Sequence, residues 1–264
     1  MNVGDIIDYL NEIAPWRYAE EWDNVGLMVG SRESNVTKVL LCMDVTSDVI
    51  SEAARYGVQI IISHHPFIFS KLKSIDMDTF KGQQISNLIN KDISVVSAHT
   101  NLDTAPGGVN DTLAECLHLT NCQNLKPYIP KGLNCDLGMG KIGELQNYKS
   151  FDEFVKDIKE NLSIENIRVI GKKPQKVKNI AVFCGSFDDD LENIKSLKVD
   201  VLVTGDIKYH TALDAAQMGI CIVDAGHFAT ERIILTKLRE TLNKRFNEID
   251  IICSNMEADP FTFA

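Results

Sequence analysis

Val3, Ile6, Ile7, Leu10 and Ile13 recur at helical spacing and Pro15 follows them, which predicts an amphipathic helix at the start of the chain. The period then changes. KVLLCMD (38–44), VQIIIS (58–63) and ISVVSA (93–98) are short, β-rich apolar runs separated by helical stretches such as SDVISEAARYG. Strands that are apolar on both faces and alternate with helices predict a mostly parallel sheet covered on both sides. The second half repeats the scheme with KNIAVFCG (178–185), VDVLVTG (199–205) and ICIVDAG (220–226), with a long helix expected over about 228–244.

Laid side by side, KVLLCMDVTSDVISEAARYGVQIIISHH and KNIAVFCGSFDDDLENIKSLKVDVLVTGD share the same succession of strand, turn, helix and strand. The pattern predicts an α/β protein of two similar three-layer α/β/α lobes, as an internal duplication would produce. The reading assigns 1–125 to an N-terminal lobe and 126–264 to a C-terminal lobe, and leaves open a return of the last strand to the first lobe. Residues 126–176 read as the join, with glycines in CDLGMGKIG and a helix around FDEFVKDIKENL.

Composition narrows the function classes. The 264 residues carry a formal charge of −10 and are 44% hydrophobic, enough apolar material for a sizeable core. That acidity argues against a phosphate-backbone grip on nucleic acid, which needs clustered Lys and Arg. Seven cysteines, an odd set with no CxxC pair, several of them inside apolar runs, read as buried thiols in a reducing compartment. The first residues lack a basic n-region, and no apolar run approaches the roughly 20 residues of a membrane span. A cytoplasmic protein is therefore expected.

Ligands of open parallel sheets bind beyond the carboxyl ends of the strands. Three expected strands end in SHH, AHTNLD and DAGHFATE, which brings His64, His65, His99, Asp103, His227 and Glu231 to that edge. A lone HH pair or a lone HxxxD is a weak signal, since surface and satisfied core histidines are common. Three such groups at one topological edge, in two lobes, point to a metal centre. Imidazoles with carboxylates form an N/O ligand set suited to zinc, iron, manganese, cobalt or nickel. Five or six such ligands exceed the needs of one tetrahedral ion and suit a pair of divalent ions. Pro66 biases His65 toward an extended backbone. VTGDIKYH places Asp206 and His210 after another strand, with His210 open to a proton-shuttle, substrate-contact or surface role. EEWDNVGLMVG around Asp23 reads as a turn entering a short strand.

These motifs occur in order, WDNVGL, SHHP, AHTNLD, GGVNDTLAE, TGDIKYH, DAGHFATE and a C-terminal DPF, and over essentially its whole length the chain resembles the type 2 GTP cyclohydrolase I homologue family. The resemblance implies dinuclear-metal proteins that assemble into a toroidal homohexamer. It makes His64, His65, Asp103, His227 and Glu231 the metal ligands, with Asp103 and Glu231 as bridges and His99 in or beside the ligand shell. CGSFDDD departs from the family's glycine-rich turn, which puts a backbone phosphate cradle there in doubt. The large insertion of longer relatives is also missing.

The function expected is a metal-dependent hydrolase acting on a nucleotide or related heterocycle. For GTP this means opening the guanine ring with release of formate, with His210 or His99 as acid or base and Lys71, Lys73 and Lys208 drawing in a small anionic substrate. Two alternatives stand beside it: a non-catalytic protein that stores, delivers or senses metal, and a nucleotide phosphoesterase.

Overall fold

The computed structural model describes residues 1–128, 137–188 and 190–263. The chain forms two compact units, one from Met1–Ala105 with Ile234–Ala258, the other from Pro106–Ile233 with the residues from Asp259 on. Both are mixed α/β sheets flanked by helices, in keeping with a duplicated α/β/α architecture. No helix among the described residues is long and apolar enough to cross a membrane.

In the first unit, helix α1 (Val3–Ile13) starts at a capping box in which Asn2 and Asp5 satisfy each other's backbone amides. Strands β1 (Gly26–Val29), β2 (Lys38–Cys42), β3 (Ile60–Ser63) and β4 (Ser94–Ser97) follow, with helices α2 (Ser47–Tyr56), α3 (Phe80–Asn90) and α4 (Thr100–Thr104). Helix α2 runs from a Thr46 cap to Gly57, which ends it in the left-handed conformation that a glycine adopts without a Cβ clash. The sheet order is β1-β4-β3-β2-β11, where β11 is Asp250–Cys253. β4, β3, β2 and β11 are parallel, and β1 closes one edge antiparallel to β4. Ile60, Ile61 and Ile62 are all buried, which explains why β3 reads as an unbroken apolar run rather than an alternating one. Leu40, Val49, Ile61, Leu88 and Val95 form the core on one face.

The second unit holds helix α5 (Val109–Cys116), strands β5 (Thr120–Tyr128) and β6 (Leu137–Ser150), helix α6 (Phe151–Leu162), then β7 (Arg168–Ile170), β8 (Lys176–Val182), α7 (Leu191–Ser196), β9 (Val201–Thr204), α8 (Tyr209–Met218), β10 (Ile222–Asp224) and the start of α9 (His227–Arg245). Its sheet runs β5-β6-β8-β9-β10-β7. The β8-β9-β10 centre is parallel, as β2-β3-β4 is in the first unit, while β5, β6 and β7 pair antiparallel.

The glycine-rich part of the expected join is a strand instead. From Leu137 the chain continues for 14 residues as β6; Cys135 and Asp136 lie outside the described residues. A Cβ at Gly138 would run into Lys126 O and Asn124, and one at Gly143 into Cys122 and Thr120. The glycines therefore allow the close approach of β5 to β6 rather than marking a flexible linker.

Candidate metal centre

Two adjacent parallel strands, β3 and β4, deliver the first group of donors. After β3 the chain bends at His64 and His65, and their amides donate to Cys42 O at 3.0 Å and Met43 O at 2.9 Å, which holds this exit against the end of β2. Ser63 Oγ donates to His65 O and lies 2.8 Å from the Ser97 hydroxyl, which ties this exit to that of β4. Lys81 pins the loop that follows, donating to Phe67 O at 3.0 Å with its ammonium over the Phe67 ring. His99 stands at the N-cap of α4, and Asp103 one turn along it.

One ring nitrogen each of His64, His65 and His99 lies within 4.8 Å of the others. Every one of these rings is held through Nδ1. His64 Nδ1 meets Ala98 O at 3.0 Å, His65 Nδ1 meets Asp44 Oδ1 at 3.0 Å, and His99 Nδ1 meets Asp23 Oδ1 at 2.9 Å. A carbonyl or carboxylate partner requires the proton on Nδ1, so the lone pair sits on Nε2. His64 Nε2 is 3.7 Å from the buried Asp103 carboxylate. Such a peripheral acceptor, which fixes both tautomer and ring orientation, is the usual support of a metal-ligating histidine.

Asp23 is the most firmly held of these supports. Its side chain has no exposure, and it also accepts from Thr100 N at 3.1 Å and Thr100 Oγ1 at 2.5 Å. Burial alone would raise its pKa, but the hydrogen bonds from His99 and Thr100 outweigh it and hold the carboxyl below its usual range.

The second unit builds its group by the same plan. β10 ends at Asp224, Gly226 turns the chain at a φ of +89°, and α9 opens with His227 and places Glu231 one turn later. His227 Nε2 lies 3.1 Å from Glu231 Oε2, and Glu231 is buried. His227 Nδ1 is held by Asp206 Oδ2 at 2.9 Å, from the exit of β9. Gly185, at the exit of β8, donates its amide to Thr230 Oγ1 at 3.0 Å and leaves room for the Glu231 carboxylate that a Cβ would fill. Asp224 is buried and accepts from Ile207 N, Gly226 N and the Arg168 guanidinium, which fastens the two loops carrying Asp206 and His227 to the end of β10.

The remaining candidates sit differently. His210, in the first turn of α8, is exposed with its ring edge-to-face against Tyr209. Lys71, Lys73 and Lys208 are exposed, and Lys208 pairs with Asp188. His118 lies exposed past the end of α5 with a φ of +57°.

A family model described as Duf34/NIF3 (NGG1p interacting factor 3) matches residues 1–260. The chain belongs to the DUF34/NIF3 family. Among curated relatives, a GTP cyclohydrolase 1 type 2 homolog of Clostridium perfringens is 40% identical over 264 residues, covering all of both chains, and one from Clostridium acetobutylicum is 36% identical over all of this chain and 99% of its own. Of solved structures, the Bacillus cereus protein related to NIF3 superposes with a TM-score of 0.93 at 28% identity, over 100% of this chain and 99% of that one. Reduced HcgD from Methanocaldococcus jannaschii gives a TM-score of 0.83 at 30% identity, over 97% and 98%. In this DUF34/NIF3 chain, the departure at CGSFDDD is structural: Phe187 is buried in the second unit's core with Ala181, Leu202 and Ile222, while Asp189 lies outside the described residues.

From the sequence alone Asp44 and Asp206 carry no assigned role, and Asp23 reads as part of a turn. Asp44 and Asp206 each lie two residues past the ends of strands β2 and β9. That position is the signal that would have marked them, since it is the edge where the histidines also emerge.

Proposed function

We propose that His64, His65 and Asp103 of the first unit and His227 and Glu231 of the second are ligands of two divalent metal ions, and that the protein is a metal-dependent hydrolase of a nucleotide or related heterocycle. The observation that carries this reading is the common mounting of the four histidines by Nδ1, which presents Nε2 as the ligand atom in both units. The donor set fits: it is all imidazole and carboxylate, with no thiolate among the proposed ligands, as expected for zinc, iron, manganese, cobalt or nickel. Two bound ions would supply Lewis acidity and a water activated near neutral pH.

The chain's own residues have distinct parts in this reading. Asp103 and Glu231 are the carboxylates suited to bridging. His99, clamped by Asp23, and His210, exposed beside Tyr209, are the candidates for moving protons. Exposed Lys71 and Lys73 attract an anionic substrate. The GTP cyclohydrolase naming of the relatives makes GTP the first substrate to test.

Elemental analysis is expected to give about two ions per subunit, and a His64→Ala/His65→Ala variant to lose most of them. Full occupancy in that variant would sink the ligand assignment. Formate released from GTP by the metal-loaded protein, and reduced in His210→Ala at unchanged metal content, supports ring opening. If no formate appears, product analysis on other nucleotides separates phosphoester hydrolysis from metal storage without turnover.

A further inference from the structure

Trp22 is 59% exposed, an unusual setting for the largest apolar side chain, and its neighbour Asp23 is among the most tightly fastened residues of the first unit. The turn that carries the indole is stapled on three sides. Asp23 holds His99 and Thr100, Glu20 N donates to Thr100 Oγ1 at 3.0 Å, and Asn24 Nδ2 donates to Ile68 O at 2.5 Å. Phe69, itself 56% exposed, packs beside the indole with ring centroids 5.9 Å apart. The indole also stands 6.2 Å from the His99 ring, edge to face. A rigidly mounted aromatic surface thus borders the three imidazoles, with its ordering entropy already spent in the free protein.

Two features decide what such a surface receives. An exposed aromatic face offers stacking to a planar π-system, a gain that an inorganic anion cannot draw on. Just beyond Phe69, Lys71 and Lys73 are exposed cations in an otherwise acidic chain. A flat ring joined to an anionic tail meets both.

We propose that Trp22, backed by Phe69, is the stacking surface for the heteroaromatic base of a nucleotide substrate and so sets the specificity of the centre. This rests on the reading of that centre as one that acts on a nucleotide or related heterocycle.

The test uses the full-length, metal-loaded protein in a Trp16→Phe background, so that emission reports on Trp22, the other tryptophan of the chain. GTP is expected to quench that emission and inorganic triphosphate is not. Trp22→Ala, followed by calorimetry, is expected to weaken GTP binding on the order of tenfold, to leave triphosphate binding unchanged, and to be largely rescued by Trp22→Phe. Unchanged GTP affinity in Trp22→Ala overturns the proposal. So does loss of subunit association in that variant with GTP affinity intact, which would assign the indole to a protein contact. The absence of quenching by GTP, ATP or guanosine at millimolar concentration overturns it as well. Elemental analysis of the same samples keeps the two readings apart: a protein without metal that binds GTP through Trp22 rejects the metal centre and retains the stacking surface, and a two-ion protein without quenching does the reverse.

Discussion

Asp206 accepts a hydrogen bond from His227 Nδ1 at 2.9 Å while its own backbone stands at a φ of +43°. That left-handed conformation is uncommon for a residue with a side chain, although Asp tolerates it better than most. Strain of this kind persists only where the surroundings hold it, and here Asp224 grips the next residue, Ile207, from below. The pairing orients the imidazole.

Asp206→Ala is therefore expected to lower metal affinity by about 10- to 100-fold, with Asp206→Asn in between because an amide oxygen still accepts from Nδ1. Competition with a chelator of known affinity measures this. Wild-type affinity in Asp206→Ala would remove the orienting role.

Gly185→Ala tests the space beside Glu231. Its φ of +67° makes any side chain costly, by about 1–2 kcal/mol. The new methyl would also overlap the Glu231 carboxylate. Lower unfolding free energy together with reduced metal content is the expected result. Loss of stability with full metal content would mean that Glu231 moves aside without consequence.

Asp224→Asn should destabilise the protein by about 1–3 kcal/mol, because a buried acceptor of a guanidinium and two backbone amides is replaced by a group that is half donor. Arg168→Ala should cost less, since that side chain is 61% exposed. Urea denaturation of the two variants gives the order, and the reverse order would contradict this account.

Thiol chemistry should follow burial. Cys221 is pushed up to about 11 by burial, and the Cys42 thiol is raised well above its usual value by burial and by nearby Glu257 and Asp44. At pH 8 a thiol of pKa about 11 is thiolate about one part in a thousand, so both should resist alkylation in the native protein. Cys122 is exposed and should react before them. Peptide mapping after brief iodoacetamide treatment checks the sequence of modification, and early labelling of Cys42 would contradict the buried β2 environment.

What the sequence disclosed and what it hid have a common physical origin. Ile60–Ile62, Val95–Val96 and Ile222–Val223 are buried on both faces, so their strands stand out as apolar runs, and the histidines that follow them are legible by position. The acids that orient those histidines are not. Asp23 lies 76 residues from His99 and Asp44 lies 21 from His65, so neither pairing leaves a local pattern. β6 was hidden by its glycines, which signal a turn when read alone and a close strand pairing once β5 is beside them. Residues on both sides of position 125 lie within β5, a strand that continuous apolar runs do not reveal because it is largely polar and exposed.

The pairing of β11 with β2 joins residues more than two hundred positions apart, Asp250 with Lys38 and Cys253 with Leu41. Pro106–Ile233 of the second unit is thus an insertion within the first, which resumes at Ile234. On a ribosome, β2 emerges early and keeps an open hydrogen-bonding edge until the whole inserted unit has been translated. A nascent chain stalled before Asp250 would therefore carry an unprotected β2 edge.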